Sequence, residues 1–267
     1  MASKLVLITG ASSGIGAALA KRYGRAGAHV LLLARNAGRL AAVAGAIRQG
    51  GGSATAYAID LADARAIEET SAKIAREGGT PDVLINNAGA GRFLPLIKTA
   101  AEDAAAMIEV PYLAAFNLTR AFLPLMLARG SGAIACVTSP AAYIAWPNAA
   151  AYIAARRALA GFTEALRSEV KGRGVSVTLV VLGTVDTPYW EHNPGSREQL
   201  PKANPWLAPT LSAEEAAEAI FAGVERRKRT VVKPAIFRVL FLLNALVPRL
   251  VARQLRRGAR ASPPNGA

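Results

Sequence analysis

The chain opens on Leu5-Val6-Leu7-Ile8-Thr9-Gly10-Ala11-Ser12-Ser13-Gly14-Ile15-Gly16, four apolar residues of strand length leading into a glycine turn, with helix-compatible sequence following through Gly27. Glycines between a strand and a helix let the backbone come close to a pyrophosphate, whose charge the helix N-terminus favours. Outward from this stretch, apolar runs recur at Val30–Leu33, Ala54–Ile59, Val83–Ile85, Ala133–Thr138 and Val175–Leu182. Each is divided from the next by an alanine-rich segment with helical spacing.

Strands alternating with helices predict an α/β fold, a doubly wound parallel sheet covered on both faces in one Rossmann-like domain. Right-handed crossovers then place the ligand site outside the carboxyl ends of the strands. The 267 residues, 52% hydrophobic and 19% charged, suit one such core and exclude an intrinsically disordered tract. With a single cysteine, Cys136, and two histidines, neither a disulfide framework nor a metal centre is expected. Met1-Ala2-Ser3-Lys4 runs straight into the first strand, a pattern unlike a signal peptide, and points to a cytoplasmic protein. The rhythm breaks at 183–210, where Pro188, Pro194, Pro201, Pro205 and Pro209 are interspersed with Tyr189, Trp190 and Trp206. This segment reads as a lid inserted into a domain spanning 1–233.

The formal net charge of +14 is unevenly placed. Residues 1–225 hold 21 Lys and Arg against all 18 Asp and Glu, whereas Arg226 to Arg260 contains eleven basic residues and no acid. The charge therefore belongs largely to a tail, 234–267, and its partners are the tail's partners. Its intervening residues are aliphatic, without the aromatics on which a single-strand binder stacks bases, so no nucleic acid is expected. Residues 235–257 are too interrupted by Arg238, Asn244, Pro248 and Arg249 to span a bilayer. At roughly 100° per residue, Arg238, Arg249, Arg253, Arg256 and Arg257 share an arc of about 100°, with Ile236, Leu240, Leu243, Val247, Leu250 and Val251 outside it. Such a segment, split in two by Pro248, suits an anionic membrane surface, held peripherally on the inner face. The competing expectation is that its apolar face packs on the catalytic domain or a partner subunit.

Further motifs follow the glycine loop in order. Thr9-Gly10 to Gly14-Ile15-Gly16 fits TGxxxGxG, Asp60-Leu61 ends the third strand, and Asn86-Asn87-Ala88-Gly89 ends the fourth. Across residues 4–232 the sequence closely resembles the short-chain dehydrogenase/reductase family, whose fourth-strand motif is NNAG. The resemblance implies a nicotinamide cofactor held by Thr9, Gly10, Ser12, Ser13, Gly14, Ile15 and Gly16, with Asp60 and Leu61 at the adenine and Asn87, Ala88 and Gly89 bordering it. An enzyme using NAD would place an acid about 20 residues beyond the glycines. Arg35 stands there instead, 19 residues after Gly16. Its guanidinium suits a 2′-phosphate by charge-assisted, bidentate contact, with the Ser13 hydroxyl beside it, which predicts NADPH or NADP+ over NADH.

The family's reacting tyrosine follows a serine by 13 residues and precedes a lysine by four. Ser139 and Tyr152 keep the first spacing, but the position four beyond Tyr152 is Arg156. The resemblance assigns Tyr152 the proton transfer to the substrate oxygen, Ser139 its binding and polarisation, and Arg156 the ribose contact. A cation one helical turn away favours an ionised phenol, and arginine supplies it. The lysine's other task, passing protons from solvent, suits a guanidinium poorly because it hardly ever releases one. The family's active-site asparagine is replaced by Pro111, which bends a helix and frees the carbonyl four residues back, that of Met107. After the sixth strand Leu182-Gly183 stands for the family's Pro-Gly, and Thr187, with Thr184 as alternate, matches the carboxamide-contacting threonine. Trp146, Tyr189, Trp190 and Trp206 are the expected pocket wall and lid.

The implied activity is NADPH-dependent reduction of a carbonyl, or oxidation of the alcohol, on a small, largely apolar substrate. Two other readings stand beside it. A Ser-Tyr-Arg set also resembles that of halohydrin dehalogenases, relatives without nicotinamide that block the position of Gly14 with an aromatic; here Gly10, Gly14 and Gly16 are intact. Loss of lysine and asparagine together suits a catalytically weak NADPH-binding sensor or scaffold. Family members commonly pair the helices after the fourth and fifth strands. Residues 101–128 and 151–170 carry many alanines that permit close packing, so a homodimer or homotetramer is expected.

Overall fold

Seven parallel strands form one sheet in the computed structural model, which describes residues 3–201, 206 and 208–260. They are β1 (Leu5–Thr9), β2 (His29–Ala34), β3 (Ser53–Ala58), β4 (Val83–Asn86), β5 (Gly132–Thr138), β6 (Val175–Leu182) and β7 (Thr230–Lys233), in the order β3-β2-β1-β4-β5-β6-β7. Six match the apolar runs of the sequence. The seventh is four residues at the end of a basic stretch, too short and too charged to stand out.

Because successive strand residues face opposite sides, the near-continuous apolar runs feed two cores. Val6, Ile8, Val30 and Leu32 pack against α1 (Gly14–Arg25), α2 (Ala37–Gln49) and α8 (Ala213–Glu225). Leu7, Leu31 and Leu84 pack on the other side against α3 (Ala64–Glu77), α5 (Ala114–Arg129) and α6 (Ala150–Glu169). The order reverses between β1 and β4, so a crevice opens at their carboxyl ends, where such sheets bind ligands.

Leading into α5 is α4 (Ala101–Ile108), joined to it by a π-helical turn at Glu109–Leu113. Pro111 lies in this turn and has no N–H to give the Met107 carbonyl, and the Ala114 N–H reaches back five residues to Glu109. The proline therefore distorts the helix where the sequence predicted a bend. In the 183–210 insertion, α7 (Tyr189–His192) is the one α-helix among the described residues. The tail forms α9 (Ile236–Leu246) and α10 (Pro248–Arg260), divided at Pro248 as expected.

Candidate active site

Thr9, the last residue of β1, ties the two loops of the crevice together. Its hydroxyl donates to the Ile85 carbonyl at 3.3 Å and accepts from the amides of Asn87 and Ala88, both at 2.9 Å. The Asn87 Nδ2 donates in turn to the Thr9 carbonyl at 2.9 Å. Gly10 and Gly14 have φ of +66° and +50°, left-handed backbone that glycine adopts readily. A Cβ on Gly16 would lie 2.2 Å from the Gly10 carbonyl oxygen and 2.8 Å from Asn87 Nδ2. The loop is thus a cradle closed to side chains, at the N-terminus of α1 with its unpaired N–H groups. Ser13 occupies the N-cap position, yet its hydroxyl makes no capping bond. Arg35, just past β2, is exposed and has no ion pair or hydrogen bond among the described residues. Its neighbour Asn36 is committed to the helix, its Oδ1 accepting from the Arg39 amide at 2.9 Å. At the end of β3 the exposed Asp60 accepts from the Ala62 amide at 3.0 Å, while Leu61 is buried. Cradle, helix N-terminus and an available cation together fit a dinucleotide carrying phosphate.

Ser139 follows β5 and accepts from the Ala141 amide at 3.2 Å. Tyr152 and Arg156 lie one turn apart on α6, the guanidinium carbon 4.7 Å from the Tyr152 ring centroid. Arg156 is only 6% exposed, its Nη2 donates to the Ala90 carbonyl at 3.3 Å, and its Nε is buried with no partner. The Thr138 hydroxyl donates to the Arg156 carbonyl at 3.4 Å, fixing α6 to the end of β5. Two glycines allow the 89–91 backbone to lie against this pair. A Cβ on Gly89 would be 2.9 Å from the Arg156 Nη2, and one on Gly91 would be 2.4 Å from the Tyr152 ring. Tyr189 donates its hydroxyl to the Gly91 carbonyl at 2.9 Å. Burial foremost, with Tyr152 adding and Arg156 opposing, holds the Tyr189 phenol well above its ordinary range, so it remains a protonated donor.

A cavity of about 390 Å³ joins these parts. Ile15, Asn87, Gly89, Gly183, Thr184 and Thr187 line it toward the glycine loop, and a Cβ on Gly14 would touch Thr187 at 3.1 Å. Ser139, Tyr152 and Arg156 line it centrally, and Trp146, Tyr189 and Trp190 form an aromatic wall. Phe93, which sequence reasoning missed, sits at the centre of that wall, its ring 4.6 Å from Tyr152, 5.9 Å from Trp146 and 6.3 Å from Trp190. Its amide donates to the Ser196 hydroxyl at 3.0 Å, which ties the wall to the insertion. Trp206 does not join the wall as expected: it is 93% exposed, and Leu200, Pro201, Ala208 and Pro209 supply the lining from its part of the chain. The tail contributes too, through Phe237, Leu240 and Leu255.

The profile of the short chain dehydrogenase family matches residues 4–197. The chain belongs to that family. A fatty acyl-CoA reductase of Acinetobacter baylyi is 38% identical over 229 residues, covering 85% of this chain and 75% of that protein. The probable oxidoreductase EphD of Mycobacterium tuberculosis is 30% identical over 269 residues, 96% of this chain but only 44% of that longer protein. Among solved structures, an alcohol dehydrogenase from Thermococcus sibiricus complexed with 5-hydroxy-NADP is 28% identical, with a TM-score of 0.76 over 86% of this chain and 96% of its own. A short-chain dehydrogenase from Sphingobium yanoikuyae in complex with NADPH is 25% identical, with a TM-score of 0.79 over 99% of this chain and 98% of its own.

The structure of this short-chain dehydrogenase accommodates both Arg156 and Pro111. The guanidinium fills a slot between the Tyr152 ring and the 89–90 backbone. Pro111 is buried in the π turn.

Proposed function

We propose that this short-chain dehydrogenase uses NADPH or NADP+ to reduce a carbonyl, or oxidise the matching alcohol, on a largely apolar substrate. The observation that carries the reading is that Ser139, Tyr152 and Arg156 open on one cavity between the glycine cradle and a wall of aromatic rings. NADP(H) is supported by Arg35, exposed and unpaired at the end of β2 among the described residues, and by the cofactors named in the two solved relatives. An acyl-chain substrate is supported by the apolar lining and by the 38% identity to a fatty acyl-CoA reductase.

When bound, the nicotinamide supplies or accepts the hydride. The residues of the chain do the rest. Gly10, Gly14, Gly16 and the start of α1 hold the pyrophosphate, Arg35 and Ser13 the 2′-phosphate, and Gly183 and Thr187 the opposite end. Ser139 Oγ binds and polarises the substrate oxygen, and the Tyr152 hydroxyl gives that oxygen its proton. Arg156 keeps a positive charge beside the ring as the proton leaves and positions the ribose. Tyr189, Trp190 and Phe93 exclude water from the reacting atoms. The exposed residues Leu113 and Phe116, with the Tyr112 and Phe116 rings packed on Phe162, offer an apolar surface where the π turn leads into α5 beside α6 for a homo-oligomer. Consumption of NADPH with a panel of aliphatic aldehydes and ketones tests the activity. No turnover on any of them by protein that binds NADPH would refute it.

A further inference from the structure

We propose that α9 and α10 dock this protein on an anionic lipid bilayer and cap the cavity from the bilayer side, so that apolar substrate enters from the membrane. The delivery step rests on the carbonyl reductase reading above; the docking does not.

Helix α9 is apolar on two opposite faces. Toward the domain, Phe237 and Leu240 line the cavity, the Phe241 ring lies 4.5 Å from that of Tyr143, and Asn244 Nδ2 donates to the Tyr143 carbonyl at 3.0 Å. Away from the domain, Val239, Leu242, Leu243 and Leu246 recur at helical spacing and are 52%, 60%, 45% and 69% exposed. Val247 and Leu250 continue the exposure into α10. A helix serving only to cover a core turns polar residues outward, so this stripe marks a surface made to be covered.

Helix α10 shows what covers it. Val251 is buried and Leu255 lines the cavity, while Arg249, Arg253 and Arg256 are exposed on the opposite face. From Arg226 to Ala267 there is no acid. Exposed leucines beside arginines that make no ion pair among the described residues match acyl chains and lipid phosphates together. A second copy set symmetrically on this face would bring arginine against arginine, and single-stranded nucleic acid would find aliphatic side chains where it needs rings to stack on. The 11 residues of α9, about 16 Å long, lie well short of a bilayer core of about 30 Å. The helix therefore lies in the interface. Its inner face forms part of the cavity wall, so a small outward movement of α9 would widen the active site toward the acyl chains.

The test is flotation of the whole protein with vesicles of phosphatidylglycerol and phosphatidylcholine in equal parts, against phosphatidylcholine alone. Binding is expected to the anionic vesicles only and to be released by salt. Each arginine near the surface contributes about fivefold, so the triple variant Arg249→Gln/Arg253→Gln/Arg256→Gln should bind about a hundredfold more weakly. Leu242→Ser/Leu246→Ser should also lose binding, and both variants should keep wild-type NADPH affinity. Equal binding to both vesicle types, or none, would overturn docking. So would a lipid-free oligomer that Leu242→Ser/Leu246→Ser breaks apart, since the stripe would then belong to a second copy. For delivery, the arginine variant should turn over a vesicle-dissolved carbonyl more slowly and a water-soluble one at the wild-type rate. Unchanged turnover of the vesicle-borne substrate would overturn it. Failure of the reductase reading is distinguishable, because it would abolish turnover of both substrates and leave flotation intact.

Discussion

Replacing Arg35 with Asp is expected to invert the cofactor preference without harming the fold. Arg35 is exposed and makes no ion pair or hydrogen bond among the described residues, so its loss breaks nothing internal. A hydrogen bond to a charged group contributes about 1.5–3 kcal/mol, and a new carboxylate about 4 Å from the 2′-phosphate adds a repulsion of about 1 kcal/mol in water. Together these amount to roughly 2.5–4 kcal/mol, or about a 70- to 900-fold weaker Kd for NADPH at 1.36 kcal/mol per decade. NADH has no 2′-phosphate to lose and gains an acceptor for its ribose hydroxyl, so its affinity should hold or rise. Titrating the fluorescence of both reduced nucleotides against wild type and variant reads the two constants directly. The wild-type preference should weaken with added salt, as expected for an exposed charge contact. An unchanged NADPH to NADH ratio in Arg35→Asp would show that this guanidinium only faces solvent.

Tyr152→Phe should lower turnover by about 10²–10⁴, the usual worth of a positioned proton donor, with NADPH affinity nearly unchanged because the ring still packs on Phe93. Arg156→Lys keeps the charge, removes the buried unpaired Nε and supplies a group able to release a proton, so turnover should rise by about tenfold or more; a fall, measured in steady state, would show that the planar guanidinium is required. Gly16→Ala places a methyl group 2.2 Å from the Gly10 carbonyl oxygen and should destabilise the fold by about 1–3 kcal/mol, seen as a lower Tm and lost nucleotide binding. Burial raises the Cys136 thiol pKa, which makes the native cysteine inert to thiol reagents. The same shift means that the unfolded thiol ionises first, so this contribution to stability is present below its unfolded pKa, about 8.5, and is lost as pH rises toward the higher folded value. Thermal unfolding should accordingly shift downward above that pH.

Much of this site was legible because its parts are local in sequence. The glycine loop, the Asn87-Ala88-Gly89 loop and the Ser139, Tyr152 and Arg156 set each depend on short spacings that a strand end or one helical turn converts into geometry. The central strands showed for a similar reason, since burial on both faces leaves unbroken apolar runs. What was missed depends on distant segments meeting. Phe93 lies in irregular chain with no period to betray it, and only the Tyr152, Trp146 and Trp190 rings around it reveal its place. The tail's periodicity shows the split at Pro248 but puts Leu240 and Leu243 together on one apolar face. The break before Pro248 gives α9 and α10 separate orientations, and Leu240 turns inward while Leu243 turns out. Trp206 was placed in the wall by its chemistry alone, whereas the smaller Pro201, Ala208 and Pro209 fill that position.

The most direct test of the account is a stoichiometric one: NADPH consumed and alcohol formed by the wild-type protein from a long-chain aliphatic aldehyde, followed together, with Tyr152→Phe in parallel. One alcohol is expected for each NADPH oxidised, with near-complete loss of both in Tyr152→Phe while the variant still binds the nucleotide. Equal rates in wild type and variant, or bound NADPH that no aldehyde oxidises, would contradict it.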